Sequence, residues 1–138
     1  MNEEILGFLD SKRIGVISVE MLDGSPHGAT VHFAYQRDPL TFVFLTDRTY
    51  RKMEPLLKNS STRASLVIGT DEDEMKTLQL DGTALSSEDQ NFKDVYFSKF
   101  PDKKEQYGGP DDVFFVFKPA WWRYTDYKAP EGKKVVVS

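Results

Sequence analysis

Short runs of β-branched and aromatic residues follow one another along the first half of the chain, with few residues between them. Three such runs cover residues 13–21, 29–35 and 40–45. The LDGSPHG segment at 22–28 and the Asp38-Pro39 pair separate them, and both carry residues that turns prefer. Strands connected this closely pair antiparallel, because a parallel pair needs a crossover of about a dozen residues or more. The sequence therefore predicts an antiparallel sheet.

The second half of the chain continues this pattern. Strands are predicted at residues 62–70 and 75–85, joined by the acidic segment 71–74, which we interpret as a solvated hairpin tip rather than a metal site. Two final strands are predicted at 112–118 and 120–127. Six or seven short strands with small helices between them are typical of an antiparallel barrel, an all-β or β-rich α+β fold. Neither a Rossmann nor a P-loop glycine motif is present.

Short helices are predicted where apolar residues recur at helical spacing behind a capping residue or a proline. They cover residues 3–12 behind Asn2, residues 49–59 as a short or kinked helix containing Pro55, a segment from Ser86 or Ser87 to Lys99, and a shorter piece that opens at Pro101. The 138 residues predict one domain, 1–138, whose last residues, 128–138, form an exposed tail or become ordered against a partner.

Charge and composition exclude several classes of function. The net charge of −4 argues against a general nucleic-acid binder, which needs a basic surface. The chain has no cysteine, which excludes disulfides and thiolate chemistry. Acidic residues near the start, and the lack of a long apolar run, predict a cytoplasmic protein without a signal peptide or a membrane segment.

The segment from Thr46 to Lys52 is the strongest candidate for binding chemistry. It joins an apolar strand to a predicted helix and carries three cations, Arg48, Arg51 and Lys52. Backbone N–H groups at a helix start and nearby cations together favour an anion. Spacing alone leaves open whether these cations bind a ligand or only solvate a surface turn.

Residues 28–69, GATVHFAYQRDPLTFVFLTDRTYRKMEPLLKNSSTRASLVIG, resemble the flavin-binding half of the pyridoxamine 5'-phosphate oxidase-like family, in its general stress protein-like branch. Family members fold as split barrels that bind flavin mononucleotide (FMN). The matching elements are Thr46, Arg51-Lys52, Leu57, Asn59 and the run 63–66.

The resemblance implies a role for each matching segment. Arg51 and Lys52 would hold the FMN phosphate, and Thr49 would substitute for a phosphate-binding serine, since Tyr50 stands at that position. The isoalloxazine ring or ribityl chain would contact Leu45 and Thr46. The strand beside the ring would contain Ala29, Thr30, Val31 and His32.

The likeness extends, more weakly, through a strand at 77–84 that begins with Thr77 and through residues 119–127. It implies a homodimer in which the late strand of one subunit contributes an aromatic and a basic residue to the flavin site of the other. These would be Trp122, or its neighbour Trp121, together with Arg123. Adjacent strand residues face opposite sides, so only one of the two tryptophans can point into a barrel.

The resemblance implies an FMN-dependent oxidoreductase whose substrate and catalytic residues the sequence does not identify. Family oxidases that act on pyridoxamine phosphate end in an Arg-Leu-x-x-x-Arg-like pattern, whereas this chain has RYTDY at 123–127, which argues against that substrate. Two alternatives keep the fold: a deazaflavin F420-dependent oxidoreductase and a non-enzymatic flavin- or haem-binding protein. His32 would be the haem ligand to test; the sequence leaves open whether it packs in the barrel wall or faces a cofactor. No metal site is predicted.

Overall fold

The computed structural model describes residues 1–138 as one eight-stranded antiparallel sheet with four short helices. The strands are β1 Ile14–Glu20, β2 Pro26–His32, β3 Ala34–Gln36, β4 Thr41–Asp47, β5 Ser61–Ile68, β6 Lys76–Ser86, β7 Asp112–Asp126 and β8 Lys134–Val137. The helices are α1 Glu3–Asp10, α2 Glu54–Asn59, α3 Gln90–Lys99 and α4 Pro101–Lys104, and a 3-10 turn, Arg51–Met53, precedes α2. None of these helices combines the length and apolar character that crossing a membrane requires.

The sheet closes on itself because its two terminal strands are neighbours in the chain. The strand order is β2-β1-β5-β6-β7-β4-β3, and β8 adds to β7. Phe33 alone links β2 to β3, and its N–H donates to the Arg13 carbonyl at 3.0 Å. The sheet must therefore curl to bring its ends together, and the predicted antiparallel barrel is confirmed.

The barrel interior is filled by alternate residues of its strands and is capped by α1. Phe44 and Phe115 stack inside it with their ring centroids 4.6 Å apart. The four buried side chains of α1 are Ile5, Leu6, Phe8 and Leu9. Asn2 caps this helix as predicted, accepting from the Ile5 N–H at 2.9 Å. Burial of these apolar residues, rather than the helix propensity of eight residues, stabilises α1.

A second, smaller core lies outside the barrel, between α3 and the outer face of β4 and β7. Phe114 and Val116 belong to it, whereas Phe115 and Phe117, which alternate with them, belong to the barrel interior. The first half of β7 is therefore buried on both faces. This explains why its sequence reads as a continuous apolar run rather than an alternating one.

The remaining outer face of the sheet carries no helix. Cross-strand pairing places Val16 beside Val67, Val67 beside Gln79, Gln79 beside Arg123, and Arg123 beside Val137. We call this row the open face. Val137 is 51% exposed, and Ile14, two residues from Val16 on the same side, is 46% exposed. The open face thus combines apolar side chains on β1, β5 and β8 with Gln79 on β6 and Arg123 on β7.

Three sequence-based boundaries differ from the structure. Two final strands were expected on either side of Pro119, but β7 is continuous, since a register shift at Asp81/Gly82 accommodates the missing proline N–H. Asp89, not Ser86 or Ser87, caps α3, because its carboxylate accepts from the Asn91 N–H at 2.9 Å. Residues 134–137 of the predicted tail pair with β7 as β8, although most of the tail is exposed.

Candidate functional site

Lys52 is the most unusual side chain of the segment after β4. The buried side chain of Met53 anchors the 3-10 turn to the barrel core, and Lys52, directly before it, is only 4% exposed. Its ammonium group makes no ion pair, and its nearest aromatic contact is the Tyr50 ring, 4.7 Å from Nζ to the centroid. Burial lowers the pKa of Lys52, and the Asp47 carboxylate only partly opposes that effect. A buried cation without a counter-ion favours an anionic ligand.

The other two cations of this segment behave differently. Arg51 is exposed; its charge adds slightly to the lowering of the pKa of Asp23, in the β1–β2 turn, which hydrogen bonds from Ser25 mainly cause. Arg48 donates to Asp111 at 3.0 Å in an ion pair. Of the three cations, Arg48 is therefore neutralised by an ion pair, Arg51 is exposed, and Lys52 is buried without an ion-pair partner.

Thr49 stabilises the turn that leads to Lys52. Its N–H and its hydroxyl both donate to Asp47 Oδ1, at 2.8 and 2.6 Å. These two bonds lower the pKa of Asp47. The hydroxyl proton of Thr49 is thus engaged within the protein, so the predicted substitution for a phosphate-binding serine would require this bond to break or an additional donor.

The 3-10 turn packs on β2, the strand expected to lie beside the flavin ring. Ala29 and Val31 turn toward the barrel, where Val31 joins the interior core. Thr30 and His32 are exposed on the opposite side of the strand. The structure therefore brings Ala29–His32 and Lys52 to adjacent elements, with only Thr30 and His32 offering exposed side chains.

Leu45 and Thr46 lie on opposite faces of β4. Leu45 packs against the α3 core, so its side chain is unavailable to a ligand on the other face. Thr46 is half-buried, pairs with Val113 and faces the same side as Phe44. Of this predicted pair, Thr46 offers its side chain toward the end of the barrel near the Lys52 turn.

The late-strand residues lie away from Lys52 within one chain. Thr77 pairs with Thr125 near the opposite end of β7 from the β4 junction. Trp122 packs partly buried against the barrel core, while Trp121 turns outward and is 38% exposed. Arg123 is exposed on the open face. The segment containing the tryptophans pairs with β6 and β8, whereas the 3-10 turn packs on β2 and α2.

The family assignment follows from comparison of the whole sequence. A family model described as pyridoxamine 5'-phosphate oxidase matches residues 1–126. The chain belongs to the pyridoxamine 5'-phosphate oxidase family. This confirms the resemblance noted from residues 28–69. No match is found among curated proteins.

Solved structures of this fold are similar over most of the chain. A protein related to general stress protein 26 from Clostridium acetobutylicum has a TM-score of 0.71 and 20% identity, covering 98% of this chain and 91% of that one. A candidate pyridoxamine 5'-phosphate oxidase from Listeria innocua has a TM-score of 0.71 and 22% identity, covering 88% and 95%. The heme storage protein HutZ from Vibrio cholerae has a TM-score of 0.69 and 18% identity, covering 84% and 87%. At these identities the likeness concerns the fold.

One cluster was missed by sequence reasoning. The exposed His32 ring meets Phe100 edge-on, with ring centroids 5.6 Å apart, so His32 does not pack inside the barrel wall. Arg13, Lys99 and Lys103 surround the same phenylalanine. We call these five residues the Phe100 cluster. They come from the start of β1, the end of β2 and the α3–α4 junction, and no local motif connects these segments.

Proposed function

We propose that this family member is an FMN-binding flavoprotein that acts as an oxidoreductase. Lys52 is the observation that supports it best: a largely buried lysine whose ammonium group has no ion-pair partner, at the position where family resemblance puts a phosphate ligand. A phosphate would supply the missing negative charge and accept charge-assisted hydrogen bonds. FMN supplies electron or hydride transfer when bound, and the protein anchors and orients it.

The chain's own residues would divide this work. Lys52 and the exposed Arg51 would both bind the phosphate, while the hydrogen-bonded Asp47–Thr49 turn holds the segment in place. The neighbouring strand β2 would flank the ring through its backbone and through Thr30 and His32. Thr46, at the end of β4, would face the ribityl chain.

The arrangement of cations favours FMN over the deazaflavin F420. The longer acidic tail of F420 would need a broader basic groove that includes Arg48 and Arg63. Arg48 is paired with Asp111, and Arg63 is paired with Glu20. Only Arg51 and Lys52 in this segment are left without an ion pair, which matches a single phosphate group.

A homodimer would complete the site. The open face exposes valines that a second copy would cover, and it carries Arg123, one of the residues expected to reach the partner's flavin. The family resemblance gives the same role to Trp122, which lies away from Lys52 within one chain. Light scattering at micromolar concentration with FMN bound should give the mass of a dimer, and a monomer under those conditions would contradict this part of the proposal.

The test of the phosphate anchor compares two ligands that differ only in the phosphate. Loss of two charge-assisted bonds in the double variant Arg51→Ala/Lys52→Ala should weaken FMN by about 3–6 kcal/mol, or on the order of 100- to 10,000-fold. Riboflavin affinity should hardly change. Lys58→Ala, on the exposed side of α2, is the matched control. Equal losses for both flavins would show that the two residues support the pocket without recognising the phosphate.

Haem binding is the second candidate, favoured by the structural likeness to a heme storage protein. The exposed His32 side chain is the available ligand; partial burial and the charge of Lys103 lower its pKa, which favours the neutral imidazole that coordinates iron. The spectrum of the purified protein separates the candidates. Flavin bands with FMN released on denaturation support the first, and a Soret band lost in His32→Ala supports the second. Turnover of NADH or NADPH with a generic acceptor then distinguishes an enzyme from a carrier.

A further inference from the structure

The Phe100 cluster gathers positive charge around one buried aromatic ring. Arg13 Cζ lies 4.7 Å from the Phe100 centroid, Lys103 Nζ 4.8 Å and Lys99 Nζ 5.6 Å. The His32 ring approaches the same phenylalanine edge-on. Phe100 itself is fully buried, so it fixes the positions of these groups without being a contact surface for a ligand.

None of the three cations in this cluster is neutralised. The hydrogen bonds that Lys99 and Lys103 make go to uncharged groups, the Lys12 carbonyl and the Tyr96 hydroxyl. No carboxylate forms an ion pair with Arg13, Lys99 or Lys103, although the chain as a whole has a net charge of −4. Burial, and then the charge of Arg13, lower the pKa of Lys99 to about 8. Three like charges held together in an acidic protein need a counter-ion.

Attraction to Phe100 does not remove this requirement. Lys99 also lies over the Phe33 ring, 4.0 Å from Nζ to the centroid, and Lys103 over the Tyr96 ring at 5.8 Å. Aromatic rings attract cations only weakly, and they carry no net charge that could neutralise three. The acids that do act on the cluster are Asp102, near His32 and Lys103, and Asp10, near Lys99. Neither is in ion-pair contact with a cluster cation, so both leave the net positive charge in place.

We propose that Arg13, Lys99 and Lys103, with His32 beside them, form an oxyanion-binding site separate from the Lys52 site. The ligand class is a compact, multiply charged oxyanion, either a phosphate group or a pair of carboxylates. The two sites lie near opposite ends of β2, because α2, which directly follows Met53, lines one cavity with Met21 and Leu22 before this strand, and His32 is its last residue. That separation is roughly 20 Å for a strand of this length. A single phosphate therefore cannot serve both sites.

The chain offers an internal reference for testing this site, since His27 and His32 are its only histidines. Their imidazole resonances are followed by NMR through a pH titration, with and without sodium pyrophosphate, at ionic strength matched with sodium chloride. In the free protein, burial against Phe100 and the charges of Lys103, Arg13 and Lys99 lower the pKa of His32, opposed by Asp102. Bound pyrophosphate should raise the His32 pKa and leave His27 unchanged.

Variants of the cluster residues test whether the cluster binds the pyrophosphate that changes the His32 pKa. Arg13→Gln and Lys103→Gln should each weaken pyrophosphate binding by about fivefold or more, because each removes a charged donor. Lys104→Gln, a neighbouring exposed lysine outside the cluster, should leave the affinity unchanged. Arg13 is exposed, so its replacement tests the site without disturbing the core.

Two outcomes would overturn the proposal. Equal shifts of His27 and His32 on adding pyrophosphate would show general screening, and equal affinities in the Arg13, Lys103 and Lys104 variants would show that the cluster does not bind the anion. FMN titration of the same variants keeps this test separate from the proposed flavin site. Failure of FMN binding with intact pyrophosphate binding would contradict only the proposed flavin function.

Discussion

Replacing Lys52 with methionine should change stability and ligand affinity in opposite directions. Methionine has a similar length and reach, so Lys52→Met removes the charge while largely preserving packing. An unpaired buried charge is disfavoured relative to an apolar group, and we expect its removal to stabilise the ligand-free protein by about 1–3 kcal/mol. The contact with the half-exposed Tyr50 ring offsets about 0.5–1 kcal/mol of this gain.

The same substitution should weaken FMN. Loss of one charge-assisted hydrogen bond to the phosphate corresponds to about 1.5–3 kcal/mol, or on the order of 10- to 150-fold in Kd. Saturating FMN should accordingly stabilise the wild type more than the variant. The stability difference between the ligand-free proteins should shrink as pH rises through the lowered pKa of Lys52, because the wild-type ammonium then loses its charge.

Urea unfolding with and without FMN, and fluorescence titration of FMN, measure both effects. Lys58→Met, on the exposed face of α2, should change neither quantity. If Lys52→Met destabilised the ligand-free protein and left FMN affinity unchanged, the buried ammonium would have a role in the fold, and the reasoning from its missing counter-ion would be wrong.

Three further predictions concern other residues. Lys99→Met should stabilise the protein at pH 7 by about 1–3 kcal/mol in urea unfolding, and this difference should shrink above pH 8, where wild-type Lys99 deprotonates in the folded state before it does so in the unfolded chain. Gly69→Ala should lower the thermal unfolding midpoint more than Gly24→Ala does. Both glycines have positive φ, but a Cβ at Gly69 would lie 2.2 Å from the Lys76 carbonyl oxygen, whereas Gly24 faces open space. His32→Gln should alter the flavin reduction rate and potential more than the unfolding midpoint, since the side chain is exposed; unchanged flavin properties would contradict this.

Local sequence determined most of the secondary structure and the fold class. Closely spaced β-branched runs joined by Gly, Pro and Asp turns can pair only as antiparallel strands, and the structure contains these strands. The alternation rule also required Trp121 and Trp122 to face opposite sides. Which one faces the barrel depended on the register shift at Gly82, where the close approach of the Lys118 carbonyl leaves no room for a Cβ.

Tertiary structure alone decided the environment of each charge. Arg48, Arg51 and Lys52 look equivalent in sequence, yet one is paired with Asp111 from far along the chain, one is exposed, and one is buried without a partner. The Phe100 cluster likewise exists only because the start of β1, the end of β2 and the α3–α4 junction meet in space. Charge interactions depend on distance and burial, and neither is encoded by neighbours along the chain.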